Sequence, residues 1–183
     1  MKKFTRVRDR LVYENQYIEL YDDDVITPEG VPGHYVRLRN RGNPPGAIVV
    51  PRFDDGRLLL IETCRYAFDS LSPEFPRGAA VPGESAEDAA RRELREETNL
   101  RAESLRRVGV LRPDTGILET EAHVFVAEVG AWDPSALRLD EKEAIASSRR
   151  VTMAELARMI TASEVRCGFT VGAFGLMVAE GMH

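Results

Sequence analysis

Cysteine is nearly absent: the chain holds two, Cys64 and Cys167, among 183 residues. Two thiols cannot staple a disulfide framework, and with three scattered histidines they cannot build a structural zinc site. Both are expected as buried, inert thiols. Lysine is as scarce, since 22 of the 25 basic residues are arginine, and the net charge is −5. An acidic chain is not built as a general nucleic-acid binder. The arginine excess suits phosphate recognition, because the guanidinium fork matches phosphate oxygens, although a GC-rich coding preference accounts for most of it. Long apolar runs are missing too. The longest, Val171–Ala179, is at most half a membrane span. The first ten residues carry charge but no apolar core segment, so they do not read as a secretory signal. These absences point to the reducing cytoplasm, with neither membrane nor nucleic acid as partner. Hydrophobic residues at 43% and charged residues at 30% are globular values, which excludes disorder and collagen-like repeats. A chain of this length forms one ordinary domain with a short extension, and buries roughly 70% of its unfolded surface.

No repeat of solenoid length occurs. The first forty residues read as a strand meander. Arg6–Tyr13, Tyr17–Thr27 and Tyr35–Arg39 are rich in Val, Ile, Tyr and Thr, with turn signals at Glu14-Asn15 and Pro28-Glu29-Gly30. The run Arg41-Gly42-Asn43-Pro44-Pro45-Gly46 divides an N-terminal element, residues 1–41, from a main domain, residues 46–183. A hairpin follows, Ala47–Phe53 and Arg57–Thr63, turning at Asp54-Asp55-Gly56. Residues 73–83 form a loop with three prolines and two glycines. A helix then opens at N-cap Ser85, with Asp88 supporting its first turn, and ends at Glu97 or Thr98. Asn99 suits the left-handed position that follows. Strands are expected at Leu105–Leu111 and His123–Val129, with His123 a packed strand residue, and helices at Met153–Thr161 and Val171–Ala179. This irregular alternation predicts an α+β or α/β sandwich rather than a doubly wound sheet.

The chemistry lies on the central helix. Glu93, Glu96 and Glu97 stand at i, i+3 and i+4, so their carboxylates share one face. Like charges at that spacing cost a helix a few tenths of a kcal/mol per pair, roughly, and a cation among them relieves it. Hard divalent cations take oxygen ligands and keep several waters, which suits carboxylates beside an open loop. An ordinary solvated face is the alternative, since Glu87–Arg91 and Asp88–Arg92 have salt-bridge spacing. The preceding loop decides between them. From Gly78 the chain runs five residues to Glu84, then seven to Arg92-Glu93-Leu94-Arg95-Glu96-Glu97-Thr98-Asn99-Leu100. This resembles the Nudix box of the Nudix hydrolases, which reads Gly, five residues, Glu, seven residues, Arg-Glu-aliphatic-any-Glu-Glu-any-Gly-aliphatic. Six fixed positions matching at roughly 7% each arise by chance about once in 10⁷ starting points. Asn99 replaces the last glycine, and asparagine is the next-best residue at positive φ.

The resemblance implies a Nudix α/β/α sandwich with a mixed sheet and an N-terminal antiparallel strand extension. By the family pattern Glu93, Glu96, Glu97 and the backbone carbonyl of Arg77 would hold Mg²⁺, or Mn²⁺ in its place. Glu84 and Arg92 would brace the loop by a salt bridge. Further likeness is to the ADP-ribose and nucleoside-diphosphate-sugar pyrophosphatases. It lies in Ala47–Phe53, Arg57–Glu62, Arg65 and Glu74-Phe75-Pro76-Arg77-Gly78, and in Leu11–Asn15 and Pro28-Glu29-Gly30. In that subgroup the N-terminal strands exchange between subunits of a homodimer. Thr115 stands where ADP-ribose members tend to carry a proline. Leu139-Asp140-Glu141-Lys142-Glu143, followed by Val151–Leu156, looks like the subgroup's acidic catalytic loop and next helix. Glu141 would then be the general base, with Glu143 and then Glu121 in reserve. Arg65, Arg77 and Tyr17 are assigned to a small-molecule nucleotide substrate. The implied reaction is hydrolysis of a nucleoside diphosphate derivative, first ADP-ribose to AMP and ribose 5-phosphate, next another NDP-sugar or a dinucleotide. The rival class is a non-catalytic, nucleotide-sensing Nudix-fold domain, which loss of a box carboxylate would favour; none is lost.

Overall fold

The computed structural model describes residues 2–132 and 144–182. The chain forms two compact units: Met1–Pro44 with Arg112–Glu121, and Pro45–Leu111 with Ala122–His183.

The first unit holds β1 (Thr5–Arg8), β2 (Leu11–Glu14), β3 (Ile18–Ile26) and β4 (Pro32–Asn40). Strand β3 is the centre. It pairs antiparallel with β4 along its whole length, from Ile18↔Asn40 to Ile26↔Pro32. Its other edge is shared by β1 and β2. The single strand expected over residues 6–13 is thus broken in two, and Arg10 shows why. Its backbone N–H donates to the Asp23 carboxylate at 3.0 Å and its Nε to the Asp22 carbonyl at 2.9 Å. Asp23 and Arg37 are both buried. Arg37 Nε donates to Asp23 Oδ2 at 2.6 Å and Nη2 to Asp9 Oδ1 at 2.9 Å, while Nη1 pairs with Glu119. The same guanidinium lies 3.8 Å from the Tyr21 ring centroid.

The second unit follows as β5 (Gly46–Phe53), β6 (Leu58–Arg65), a 3₁₀ turn (Tyr66–Phe68), β7 (Ser70–Glu74), β8 (Arg77–Ala79) and α1 (Ala86–Thr98). Next come β9 (Ala102–Leu111), β10 (Ala122–Val129), β11 (Ile145–Val151), α2 (Met153–Thr161) and α3 (Gly168–Ala179). The sheet runs β11-β6-β5-β10-β9, with β7 on β6 and β8 on β5. Strand β10 is parallel to β5, and the other pairs are antiparallel. Strand β5 reads as a continuous apolar run because both of its faces are covered. The two-residue period sends Ile48 and Val50 one way, onto Leu156 and Met159 of α2 and Ala173 and Met177 of α3. Ala47 and Val49 go the other way, onto Ala89, Ala90 and Leu94 of α1. The result is helix, mixed sheet, helix, as the box implied.

Four local expectations are corrected. The proline-rich loop contains the end of β7 and all of β8. Pro73 sits within β7, which among the described residues pairs on one side only, with β6, and an edge position tolerates a missing N–H. Strand β11 was not anticipated, and Val151 closes it rather than opening a helix. Helix α2 spans Met153–Thr161 as expected, behind a capping box formed by Thr152 and Glu155, whereas α3 begins earlier than expected, at Gly168. Cys64 is exposed and Cys167 only partly buried, because one ends a strand and the other caps a helix. Among the described residues no helix is long and apolar enough to cross a membrane.

The charged centre of the first unit yields a stability prediction. Arg37→Met leaves Asp23 buried with its principal partner gone, a loss of roughly 3–5 kcal/mol. Adding Asp23→Leu removes the orphaned charge and is expected to recover most of it. Urea unfolding of both variants checks this, and equal losses in the two would refute it.

Candidate functional site

Helix α1 is fixed at both ends by short-range chemistry. The Asp88 N–H donates to the Ser85 hydroxyl at 3.1 Å. At the far end Asn99 adopts φ 58° and its N–H donates to the Arg95 carbonyl at 2.9 Å. Asparagine therefore holds the left-handed position where the motif has glycine.

Between these caps, Arg92 gathers the loop onto the helix. Nε donates to Glu84 Oε1 at 3.0 Å, and Nη2 to Glu84 Oε2 at 3.1 Å and to the Ala79 carbonyl at 3.0 Å. Nη1 reaches Glu93 Oε1 at 2.7 Å and Glu96 Oε2 at 2.9 Å. Glu84 also accepts the Val81 N–H at 2.9 Å, closing the loop on itself. The hydrogen bond from Arg92 holds the Glu84 carboxyl below its ordinary range, and that from Glu84 raises Arg92 further still.

Gly78 is needed for space rather than for φ. A Cβ there would overlap the Glu93 carboxylate, so Glu93 lies directly on the loop backbone. Glu97 Oε2 accepts the Arg77 N–H at 2.9 Å, tying the helix to β8. Glu93 and Glu97 are 7% and 5% exposed, which removes the solvated-face alternative for those two, while Glu96 remains exposed. Among the described residues no three acidic groups are gathered tightly enough to cage a metal, since Arg92 sits between Glu93 and Glu96.

Arg65 and Arg77 are also brought together, through a residue given no role by sequence. Glu74 is 2% exposed and accepts Arg65 Nε at 2.9 Å, Arg65 Nη2 at 2.7 Å and Arg77 Nε at 3.0 Å. Burial works to raise its carboxyl, but the Arg65 hydrogen bonds and the charges of Arg77 and Arg65 outweigh it and hold it at about 2. A usable signal existed. Glu74 is a lone acid beside the apolar Phe75, and an acid buried there must be paired. Tyr17 is exposed and Glu121 pairs with Arg112 at 2.6 Å, both in the first unit. Glu141 and Glu143 lie outside the described residues.

Known proteins resemble this chain in sequence and in fold. The NUDIX domain model matches residues 42–166. The ADP-ribose pyrophosphatase of Bacillus subtilis is 28% identical over 155 residues, covering 84% of this chain and 81% of its own. The ADP compounds hydrolase NudE of Escherichia coli is 28% identical over 149 residues, covering 81% and 78%. A crystal structure of an ADP compounds hydrolase superposes with a TM-score of 0.80 at 24% identity, covering 100% of this chain and 98% of its own. That last likeness is one of fold.

The Glu74 cluster sets an acid limit on stability. Its carboxyl is depressed from an ordinary 4.5 to about 2, so its contribution is complete above 4.5 and lost as the pH falls toward 2. Glu74→Gln is expected to be less stable than the wild type at pH 7, with the gap closing between pH 4.5 and about 2. Thermal midpoints across that range check it; a gap independent of pH would refute it.

Proposed function

The chain belongs to the Nudix hydrolase family, and we propose that it hydrolyses the pyrophosphate bond of a nucleoside diphosphate derivative. ADP-ribose, giving AMP and ribose 5-phosphate, is the first substrate, and another NDP-sugar or a dinucleotide the second. The reaction class rests on one observation: every box carboxylate is present, and Glu93 and Glu97 are buried against Arg77 and Gly78 of β8. The substrate class is supported by likeness to an ADP-ribose pyrophosphatase and an ADP compounds hydrolase.

Hydrolases of this family generally use divalent metal ions. The donor set here fits a hard cation, because it is entirely oxygen and Gly78 leaves room for the Glu93 carboxylate at the loop. Glu93, Glu96, Glu97 and the Arg77 carbonyl would hold Mg²⁺, or Mn²⁺ in its place, in competition with Arg92 for Glu93 and Glu96. When bound, such an ion neutralises charge on diphosphate oxygens and acidifies a coordinated water.

The chain's own residues do the rest. Arg65 and Arg77 are pinned by Glu74 through part of their guanidinium groups, and offer the remaining N–H donors to phosphate oxygens. Glu84 and Arg92 keep the loop against the helix. A carboxylate outside the ligand set accepts the proton of the attacking water. Sequence assigns that role to Glu141, with Glu143 and then Glu121 next. The resemblance assigns Tyr17 a further substrate contact. A homodimer completes the reading, since Val7, Leu11, Val12, Tyr13 and Val36 leave the N-terminal sheet with exposed apolar side chains that a second copy would cover.

A panel of ADP-ribose, other NDP-sugars, dinucleotides and nucleoside triphosphates, assayed with Mg²⁺, tests the reaction. Failure to hydrolyse any of them refutes it. Glu97→Gln keeps an acceptor for the Arg77 N–H, so stability should change little, while turnover should fall by orders of magnitude if Glu97 holds the ion. Activity within a few-fold of wild type would leave Glu97 only its bond to Arg77. Glu141→Gln should lower kcat by about 10²–10⁴-fold without weakening apparent Mg²⁺ affinity. Near-normal kcat would move the role of base elsewhere. Light scattering returning a mass near 20.5 kDa would rule out the dimer.

A further inference from the structure

Helix α1 carries charge on two opposite sides. Arg91 and Arg95 each stand two residues from a box carboxylate, about 200° around the helix axis, and so face away from Glu93 and Glu97. Both are exposed. Four residues apart, they share one face, where like charges repel. Arg101 follows just past the left-handed turn at Asn99 and joins them. The three arginines and Ala102 line a concavity of about 330 Å³.

The carboxylates that could balance this charge are engaged elsewhere. On α1, Asp88 bonds Ser85 at 2.6 Å, Glu96 bonds Arg92 at 2.9 Å, and Glu97 accepts the Arg77 N–H. Beyond the helix, Glu103 lies against Gly130, where a Cβ would come 2.7 Å from its Oε1. Glu87 does serve the concavity, through Arg91 at 3.0 Å, but both side chains of that pair are exposed and it is worth little. Among the described residues Arg95 and Arg101 have no acidic partner. A chain of net charge −5 thus holds a local positive surplus. The negative end of the helix dipole is the competing reason for cations here, and it asks for stability rather than for a ligand.

We propose that this concavity binds a compact phosphate group, free or at the end of an ester, on the guanidinium groups of Arg91, Arg95 and Arg101. Phosphate oxygens accept from several planar forks at once, which suits three arginines around one space. The lining offers no aromatic face, hydroxyl or amide, so a nucleobase or a sugar gains nothing there. The site lies on the side of α1 away from the box carboxylates, and can be filled while the box is in use. It stands apart from the hydrolase reading and does not depend on it.

Calorimetric titration with inorganic phosphate at constant ionic strength tests it on wild type, an Arg95→Gln, Arg101→Gln double variant, the matching double lysine variant, and Arg65→Gln. Arg95 and Arg101 are exposed, so both double variants are expected to fold. The glutamine pair should bind phosphate at least about tenfold more weakly, the size of one lost charge-assisted hydrogen bond. The lysine pair keeps the charge but not the fork, and should still lose several-fold. Arg65→Gln should bind as the wild type does. No phosphate binding by the wild type, or unchanged binding in the glutamine pair, overturns the proposal. So does a glutamine pair that loses thermal stability but no phosphate affinity, which would leave these arginines to the helix dipole. A lysine pair equal to wild type would reduce the site to a general positive field, and a loss confined to Arg65→Gln would put the phosphate at the Glu74 cluster; either refutes it. Glycerol 3-phosphate then separates the sources: if it binds beside inorganic phosphate the site takes an ester end, and if it does not the site takes the free anion.

Discussion

Glu84, Glu93 and Glu96 all point at one guanidinium, that of Arg92, and the geometry of the box depends on this sharing. Two carboxylates one helical turn apart repel, and Glu93 is buried where water screens little. Removing the guanidinium would leave Glu93 without its nearest counter-charge and free the loop at two points, Glu84 and the Ala79 carbonyl. A lysine could not replace it. Its single ammonium has no planar fork to meet a carboxylate on one side and a loop carbonyl on the other.

A second buried acid repeats the device with the signs exchanged. At Arg92 one cation serves several carboxylates; at Glu74 one carboxylate serves two cations, Arg65 and Arg77. The two clusters are linked through a single backbone segment. Arg77 gives its side chain to Glu74 and its N–H to Glu97, and the next residue, Gly78, lies under Glu93. Sheet and helix are thus locked together at the point where their charged groups meet. The packing beneath supplies the rigidity: β5 is buried on both faces, so β8, paired along its first residues, has little freedom to shift.

The parts legible in the sequence are those written in short-range spacing. The hairpin about Asp55-Gly56, the Ser85 cap, the shared face of the box glutamates and the double burial of β5 each depend on residues within one element. What escaped depends on distant partners. Strands β5 and β6 pair only at Arg52↔Leu58 before diverging, and β7 and β8 take up the two edges so opened. Nothing local marks residues 70–79 for that task, and three of the prolines and glycines there argue for loop. Strand β11 carries Ser147-Ser148-Arg149-Arg150, with none of the apolar alternation that signals a strand, and exists because β6 offers a free edge. The Glu74 cluster is likewise tertiary, joining residues nine and three positions apart across three strands, β6, β7 and β8.

Arg92 balances the charge of Glu93 and Glu96 in the structure. This shapes how a cation could enter. Of the five hydrogen bonds quoted for Arg92, those to Glu93 and Glu96 come from Nη1, while Nε and Nη2 serve Glu84 and the Ala79 carbonyl. A cation taking Glu93 and Glu96 would displace the bonds of one nitrogen and spare those of the other two. The brace and the charge balance are therefore separable functions of one side chain. The loop could stay folded were the carboxylates to change partner, because Nε and Nη2 would keep their bonds to Glu84 and the Ala79 carbonyl. This division rests on the guanidinium geometry, since only a planar, three-nitrogen cation can release one set of acceptors and keep the others.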